Sequence, residues 1–343
     1  MNNFQSNEIW TRSDVIKATK GKDINDTFSF NDTKITGVSI DTRTINKGDL
    51  FIALKGNNFD GHVYAKSAIE KGASGIIVSE LIVAKKYDGL LVNNTHNSLN
   101  DLAKFSRKRF QGSVIAITGS NGKTSTKNML ASLLETFGKT HSTYKNNNNI
   151  IGLALTLSNL GTNNKFCVLE LGMNKKNELS KLSKLSSPNI VLITNVSSSH
   201  IGNFESEKAI AKAKSEIFEG LIEPSLIILN SDDKWFNYLK NNALKFSNKI
   251  FYFGKNRDSV VQIEKLISKI PGTYIEINNN VKLDLKNLPI HQTYNVCSAL
   301  SIIRVLKLDE KKLFSKICQF NPSLGRGNFI KIHLDENNFF QVI

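Results

Sequence analysis

The sequence predicts an α/β protein, with a small N-terminal α/β unit followed by a larger, mostly parallel sheet around a phosphate-binding loop. Three observations carry this. Residues 113–118 are a β-branched, apolar run that breaks at Gly119 and Gly122 and continues as a helical pattern over 124–137. From 113 to 320, short apolar runs alternate with helical patterns, as strands covered on both faces by helices do. Residues 1–86 carry three short strand patterns and two helical ones of their own. The 343 residues suffice for two or three domains. The expected division is 1–86, 87–320, and 321–343 as the start of a further domain.

In the N-terminal unit, helical patterns fall at 9–19 and 64–71, and strands at 35–43, 49–54 and 75–79. Asp41-Thr42-Arg43 and the loop 55–62 close two of these strands, where α/β sheets place ligands. Ordinary turn chemistry explains either stretch equally well. A helix over 97–110 leads into the strand at 113–118. Further strands are expected at 166–170, 190–195, 226–230 and 250–253, three of them ending in Glu170, Asn195 and Asn230. Residues 257–290 read as β-rich, and 295–306 and 311–320 as helices.

Thr118-Gly119-Ser120-Asn121-Gly122-Lys123-Thr124 has the chemistry of a phosphate cradle. Glycines let backbone N–H groups close on phosphate oxygens, and a helix N-terminus adds partial positive charge. Lys123 suits the outer phosphates and the Thr124 hydroxyl suits Mg²⁺. The glycine of the longer, commoner loop is replaced by Ile117, leaving a shortened G-x-x-G-K-T. A chance glycine turn is the alternative, and the strand before it and helix after it favour ATP.

Composition narrows the class. An apolar fraction of 40% and a charged fraction of 22% are those of a soluble globular chain. No apolar run approaches a membrane span of ~20 residues, and the N-terminus lacks a signal-peptide pattern. Cys167, Cys297 and Cys318 are too scattered for a metal site, which fits reduced thiols in the cytoplasm. The net charge of +15 invites a nucleic-acid reading, but the lysines are dispersed and no nucleic-acid-binding signature accompanies them. A solvated, lysine-rich surface is the expectation.

One lysine sits on the wrong side of its helix. Over 207–221, Ile210, Ala213, Ile217, Phe218 and Leu221 share an arc, and Lys214 falls inside it. Either its stem packs while the ammonium snorkels to water, or the amine is buried and its pKa falls. A neutral amine reacts with CO₂ to give a carbamate, an anionic oxygen ligand of the kind Mg²⁺ prefers. Glu170 and His200 are candidate companions, although a solvated strand-end acid and a loop histidine are the plainer readings.

Taken in order, these stretches resemble the Mur ligases, cytoplasmic ATP-dependent amide ligases of peptidoglycan synthesis. The carriers are Asp41-Thr42-Arg43, the run 48–56, Asp60-Gly61-His62, the phosphate loop and the run 146–153. After them come Glu170-Leu171-Gly172-Met173-Asn174, Thr194-Asn195-Val196 with His200, and the run 213–218. The 170–174 stretch and the surroundings of His200 are similar to the branch that adds D-alanyl-D-alanine.

The resemblance implies that Gly119, Ser120, Asn121, Gly122, Lys123, Thr124 and Ser125 bind ATP, with Asn295 at the adenine and Arg326 at a phosphate. It implies that Thr124, Glu170, His200 and a carbamylated Lys214 hold Mg²⁺, and that Lys123, Lys214 and His200 serve catalysis. Asp41, Thr42, Arg43, Asp60, Gly61, His62, Asn148 and Asn149 would bind substrate. The substrates implied are UDP-N-acetylmuramoyl-tripeptide and D-alanyl-D-alanine, joined through an acyl phosphate by a monomer. The family also has a Rossmann-like C-terminal domain opened by an Asp-Asp-x-Tyr-Asn-Ala-Asn-Pro segment. This sequence stops roughly where that segment begins, so a truncated ligase is expected. A nucleotide- and UDP-sugar-binding module without turnover and a folylpolyglutamate synthase-like ligase are the alternatives.

Overall fold

The computed structural model describes residues 9–26, 34–198, 201–269, 272–321, 330–333 and 339–342. The chain forms two compact units, one of residues 1–111 with 149–164, the other of 112–148 with 165–343.

The first unit runs α1 (Arg12–Thr19), β1 (Lys22–Asp23), β2 (Gly37–Ser39), β3 (Asp49–Ile52), and a small ladder of β4 (Lys55–Gly56) and β5 (Phe59–Asp60). A 3₁₀ turn at Gly61–Tyr64 follows, then α2 (Ala65–Glu70), β6 (Gly75–Val78), α3 (Leu81–Tyr87), β7 (Leu90–Leu91) and α4 (Thr95–Arg109). The sheet order is β1-β7-β6-β3-β2, parallel except at β1. Capping fixes the helix ends. Thr11 accepts from the Asp14 N–H at 3.0 Å and Asn94 from the Asn97 N–H at 2.9 Å.

The units do not divide at 86/87, which falls inside the first of them. Helix α4 packs on α1 and on α6 (Ile150–Ser158), burying Leu99, Leu102 and Ala103. Ser106 Oγ donates to the Leu160 carbonyl at 3.0 Å, and Trp10 Nε1 to the Ser158 carbonyl at 2.7 Å. These bonds attach 149–164 to the N-terminal unit. At the outer strand, Asn159 Oδ1 accepts from the Val38 N–H at 2.8 Å, and its Nδ2 donates to the Val38 carbonyl at 2.9 Å.

The second unit contains β8 (Ser113–Thr118), α5 (Lys123–Leu134), β9 (Thr140–Ser142), β10 (Phe166–Glu170), α7 (Glu178–Ser186), β11 (Ile190–Ile193) and α8 (Glu207–Ser215). It continues through β12 (Leu226–Asn230), α9 (Phe236–Ala243), β13 (Ile250–Gly254), β14 (Val261–Ser268), β15 (Thr273–Ile277), β16 (Val281–Leu285), α10 (Thr293–Val305) and α11 (Phe314–Cys318), with a hairpin of β17 (Ile330–His333) and β18 (Phe339–Val342). The main sheet has nine strands ordered β16-β15-β14-β13-β12-β11-β8-β10-β9. It is parallel from β9 to β14 and antiparallel beyond. Ile115, Ile117, Val168 and Leu192 share one core with Met129, Leu130 and Leu133 of α5 and with Val296, Ala299 and Leu300 of α10. Because β10 and β11 flank β8 on opposite sides, the crossovers diverge at the C-terminal end of β8, where open α/β sheets bind ligands.

The helix expected over 207–221 is α-helical only to Ser215 and tightens to 3₁₀ over Glu216–Gly220. Ser183 explains the change, since its hydroxyl donates to the Ile217 carbonyl at 2.5 Å and accepts from the Gly220 N–H at 3.1 Å.

Replacing Asn159 by Leu leaves the Val38 N–H and C=O without partners. Unfolding by urea should show the chain destabilised by about 1–3 kcal/mol.

Candidate functional site

The C-terminal ends of β8, β10 and β11 bring together most of the residues singled out in the sequence. Residues 119–122 link β8 to α5, and at its N-cap, Gly122 (φ +81°), α5 has no side-chain cap. A glycine there offers no side-chain acceptor to the first turn, and a helix N-terminus of this kind suits an anion. The loop admits no larger residues at its glycines. A Cβ on Gly119 would collide with Thr194 Oγ1, and one on Gly122 with Asn295 Oδ1. Thr124 and Ser125 are buried in the first helical turn. The Lys123 ammonium folds back over the loop, donating to the Gly119 and Ser120 carbonyls at 2.8 and 3.0 Å.

Glu170 ends β10, which pairs with β8, and it is 2% exposed. Asn148 Nδ2 donates to its Oε1 at 2.9 Å, while Oε2 is buried without a hydrogen-bond partner. A buried carboxylate oxygen without a partner is costly, and this one suits a cation. Asn148 therefore orients Glu170. Asn149 has a different task, capping α6 by accepting from the Gly152 N–H at 2.8 Å.

Lys214 does not snorkel, for it is 1% exposed on α8. Burial, and next the charge of Lys123, lower its pKa to about 7, against an opposing pull from Asp233. Asp233 is held by the Val196 N–H at 2.6 Å and the Trp235 N–H at 2.7 Å. Burial nonetheless raises its pKa. Sequence reasoning missed Asp233, whose only signal was its place in the polar turn after β12.

Asn295 lies at the start of α10 against the phosphate loop. Its Oδ1 accepts from Thr126 Oγ1 at 3.2 Å and its Nδ2 donates to Gln292 at 2.5 Å. Its carboxamide thus braces the loop from behind. His200 and Arg326 lie outside the described residues.

In the first unit, Asp41 and Arg43 close on each other at 2.7 Å, with Arg43 87% exposed. The arginine, first of all, holds the Asp41 carboxyl below its usual range. The Thr42 carbonyl accepts from Lys71 Nζ at 2.7 Å. Asp41 also lines a cavity of about 290 Å³ with Thr44, Asn46 and Asp49. Gly61 allows a tight return, its N–H donating to the Leu54 carbonyl at 2.7 Å. His62 is buried and has both ring nitrogens engaged: Nδ1 with Asp60 at 2.6 Å, and Nε2 accepting from the Ser79 N–H at 2.9 Å. It fastens the loop. Asp60, His62 and Glu80 place ligand atoms within 4.8 Å of one another, but the Lys55 ammonium already bridges the two carboxylates at 2.7 and 3.0 Å.

Comparison with known proteins bears on this arrangement. The profile of the Mur ligase middle domain matches residues 117–303, and that of the Mur ligase family catalytic domain matches residues 34–107. The chain belongs to the Mur ligase family. Among curated Mur ligases, it is 37% identical over 272 residues to the UDP-N-acetylmuramoyl-tripeptide–D-alanyl-D-alanine ligase of Buchnera aphidicola subsp. Baizongia pistaciae, covering 78% of this chain and 59% of that one. It is 33% identical to the enzyme of the same name from Rickettsia prowazekii, over 94% of this chain and 72% of that one. The crystal structure of MurF from Acinetobacter baumannii superposes with a TM-score of 0.83 at 27% identity, over 97% of this chain and 72% of that one. MurF from Thermotoga maritima in complex with ADP gives 0.70 at 25% identity, over 88% and 70%. This Mur ligase chain thus spans about three-fifths to three-quarters of the length of these relatives.

The buried amine makes stability depend on pH. The folded pKa of Lys214 lies below the ordinary lysine value of 10.5, so the unfolded chain binds more protons between about 7 and 10.5, and stability rises with pH across that window. Lys214→Met keeps a stem of similar volume and removes the titration. Urea unfolding at pH 7 and pH 9 in bicarbonate-free buffer should show the variant stabilised at pH 7 and the rise flattened.

Proposed function

We propose that this Mur ligase is an ATP-dependent amide ligase that joins D-alanyl-D-alanine to UDP-N-acetylmuramoyl-tripeptide. The observation that carries the proposal is the pairing, at one sheet end, of an uncapped helix N-terminus with the buried, unpartnered Glu170 Oε2. The first suits an anion and the second a cation, as a magnesium nucleotide requires. The names of the relatives, UDP-N-acetylmuramoyl-tripeptide–D-alanyl-D-alanine ligases, support the choice of substrates.

The residues fit the groups this reaction uses. The N–H groups at the start of α5 face the nucleotide phosphates, and Lys123 exchanges its carbonyl partners for a phosphate oxygen. Thr124 and Glu170 would hold Mg²⁺, together with His200 in the role the family resemblance gives it. The metal supplies charge neutralisation at the transferred phosphoryl group. An amine with a pKa near 7 is substantially neutral at physiological pH, the form that takes up CO₂, so Lys214 would serve as a carbamate ligand. ATP phosphorylates the terminal carboxylate of the tripeptide, and the amine of D-alanyl-D-alanine displaces phosphate to form the amide. Alignment of these two substrates supplies much of the acceleration. Arg43, Asp41 and Thr42 in the first unit would take the UDP-sugar.

Nothing among the described helices is long and apolar enough to cross a membrane, and all three cysteines are free. Both features suit a cytoplasmic enzyme, which we take to be monomeric.

The test is ADP release by the full chain with MgATP and both substrates, beside calorimetry with MgADP. Turnover dependent on D-alanyl-D-alanine is expected, and Lys123→Ala should lower it by at least about 100-fold. Nucleotide binding without turnover would favour a binding module, and absence of MgADP binding would overturn the proposal.

A further inference from the structure

Asn195 lies just beyond β11, and the family resemblance gives it no task. Its main-chain carbonyl accepts from the Ser120 N–H at 2.9 Å. Its side-chain Oδ1 accepts from the Asn121 N–H at 2.9 Å, and its Nδ2 donates to the Asn121 carbonyl at 3.2 Å. The carboxamide therefore stands where another peptide group would, carrying the β8–β11 ladder into the phosphate loop. Thr194 Oγ1 donates to the same Asn121 carbonyl at 2.6 Å. Ser120 Oγ donates to the Ser197 carbonyl at 3.1 Å and accepts from the Ser197 N–H at 2.9 Å. Asn121 Nδ2 reaches Ser197 Oγ at 3.1 Å.

Two consequences follow. The N–H groups of Ser120 and Asn121 are held by protein, so the anion falls to the amides at the start of α5. The loop is also fastened to residues 194–198, the segment that leads to His200.

We infer that Asn195 is a positioning residue that preorganises the phosphate loop for nucleotide through its paired bonds to Asn121. The inference rests on the reading of this unit as a nucleotide site. A carboxamide offers the required acceptor and donor side by side on one planar group, without a charge or a titration. Aspartate keeps the acceptor for the Asn121 N–H, but it sets a carboxylate against the Asn121 carbonyl and near the phosphates. Alanine frees the loop. Asn121 is exposed, so the loss falls on the ordering of the loop on binding.

MgADP titrations of the full chain, read alongside thermal unfolding, provide the test. Asn195→Ala should weaken MgADP about tenfold with little change in Tm, Asn195→Asp should weaken it further, and Thr194→Val should weaken it as well. Because Thr194 and Asn195 hold the same carbonyl, the Thr194→Val/Asn195→Ala double variant should lose less affinity than the product of the single losses. Unchanged affinity in a folded Asn195→Ala chain would overturn the inference alone, and absence of MgADP binding by the parent would overturn both readings. Hydrogen exchange on the parent without nucleotide needs no variant. Protected Ser120 and Asn121 amides are expected, and rapid exchange of both would overturn the inference.

Discussion

Glycine at 119 and 122 lets the loop after β8 approach the side chains of Thr194 and Asn295 more closely than any Cβ would allow, and the shape of this site follows from that approach. Gly119 lies against Thr194 and Gly122 against Asn295. The loop after β8 is therefore pressed between the end of β11 and the start of α10. A loop held on two sides leaves the amides of α5 pointing at a fixed place, without reorganisation when charge arrives. The same contact brings three strand ends together, so Glu170 and the 194–198 segment converge on the loop.

Charge at this place is arranged by burial more than by pairing. Glu170 is withdrawn from water with one oxygen unanswered. Lys214 is withdrawn likewise, beside a second lysine that further discourages its protonation. Neither arrangement is favourable in isolation, and each is typical of a site that stores cost for a ligand. The exposed Asp41–Arg43 pair of the first unit is of the opposite kind. It is strongly solvated, contributes little to stability, and keeps its guanidinium accessible.

Much of this was legible in the residues. The strand, glycine turn and helix at 113–134 follow from composition and periodicity, and the misplaced Lys214 stands out by angle alone. The separation into units was less legible. Residues 150–158 are apolar nearly all round, so no face of α6 announces that it belongs with α4 and not with the sheet that follows it. The tightening after Ser215 depends on Ser183, some thirty residues earlier, which no local pattern reveals. The family resemblance gives His62 to substrate, and no local pattern shows that Asp60 and the Ser79 amide engage its two ring nitrogens. Asn195 was visible as a polar strand end, but its partner Asn121 becomes apparent only when β11 lies beside β8.

The Asn159 carboxamide has a bearing on behaviour in crowded solution. Strand β2 is the margin of its sheet, and a bare margin is a template on which strands from other molecules assemble. By occupying both main-chain groups of Val38, while the Ile9 and Trp10 amides take the Ile35 carbonyl nearby, the chain plugs its own open border. It thereby resists intermolecular sheet growth without spending a charge or a proline there.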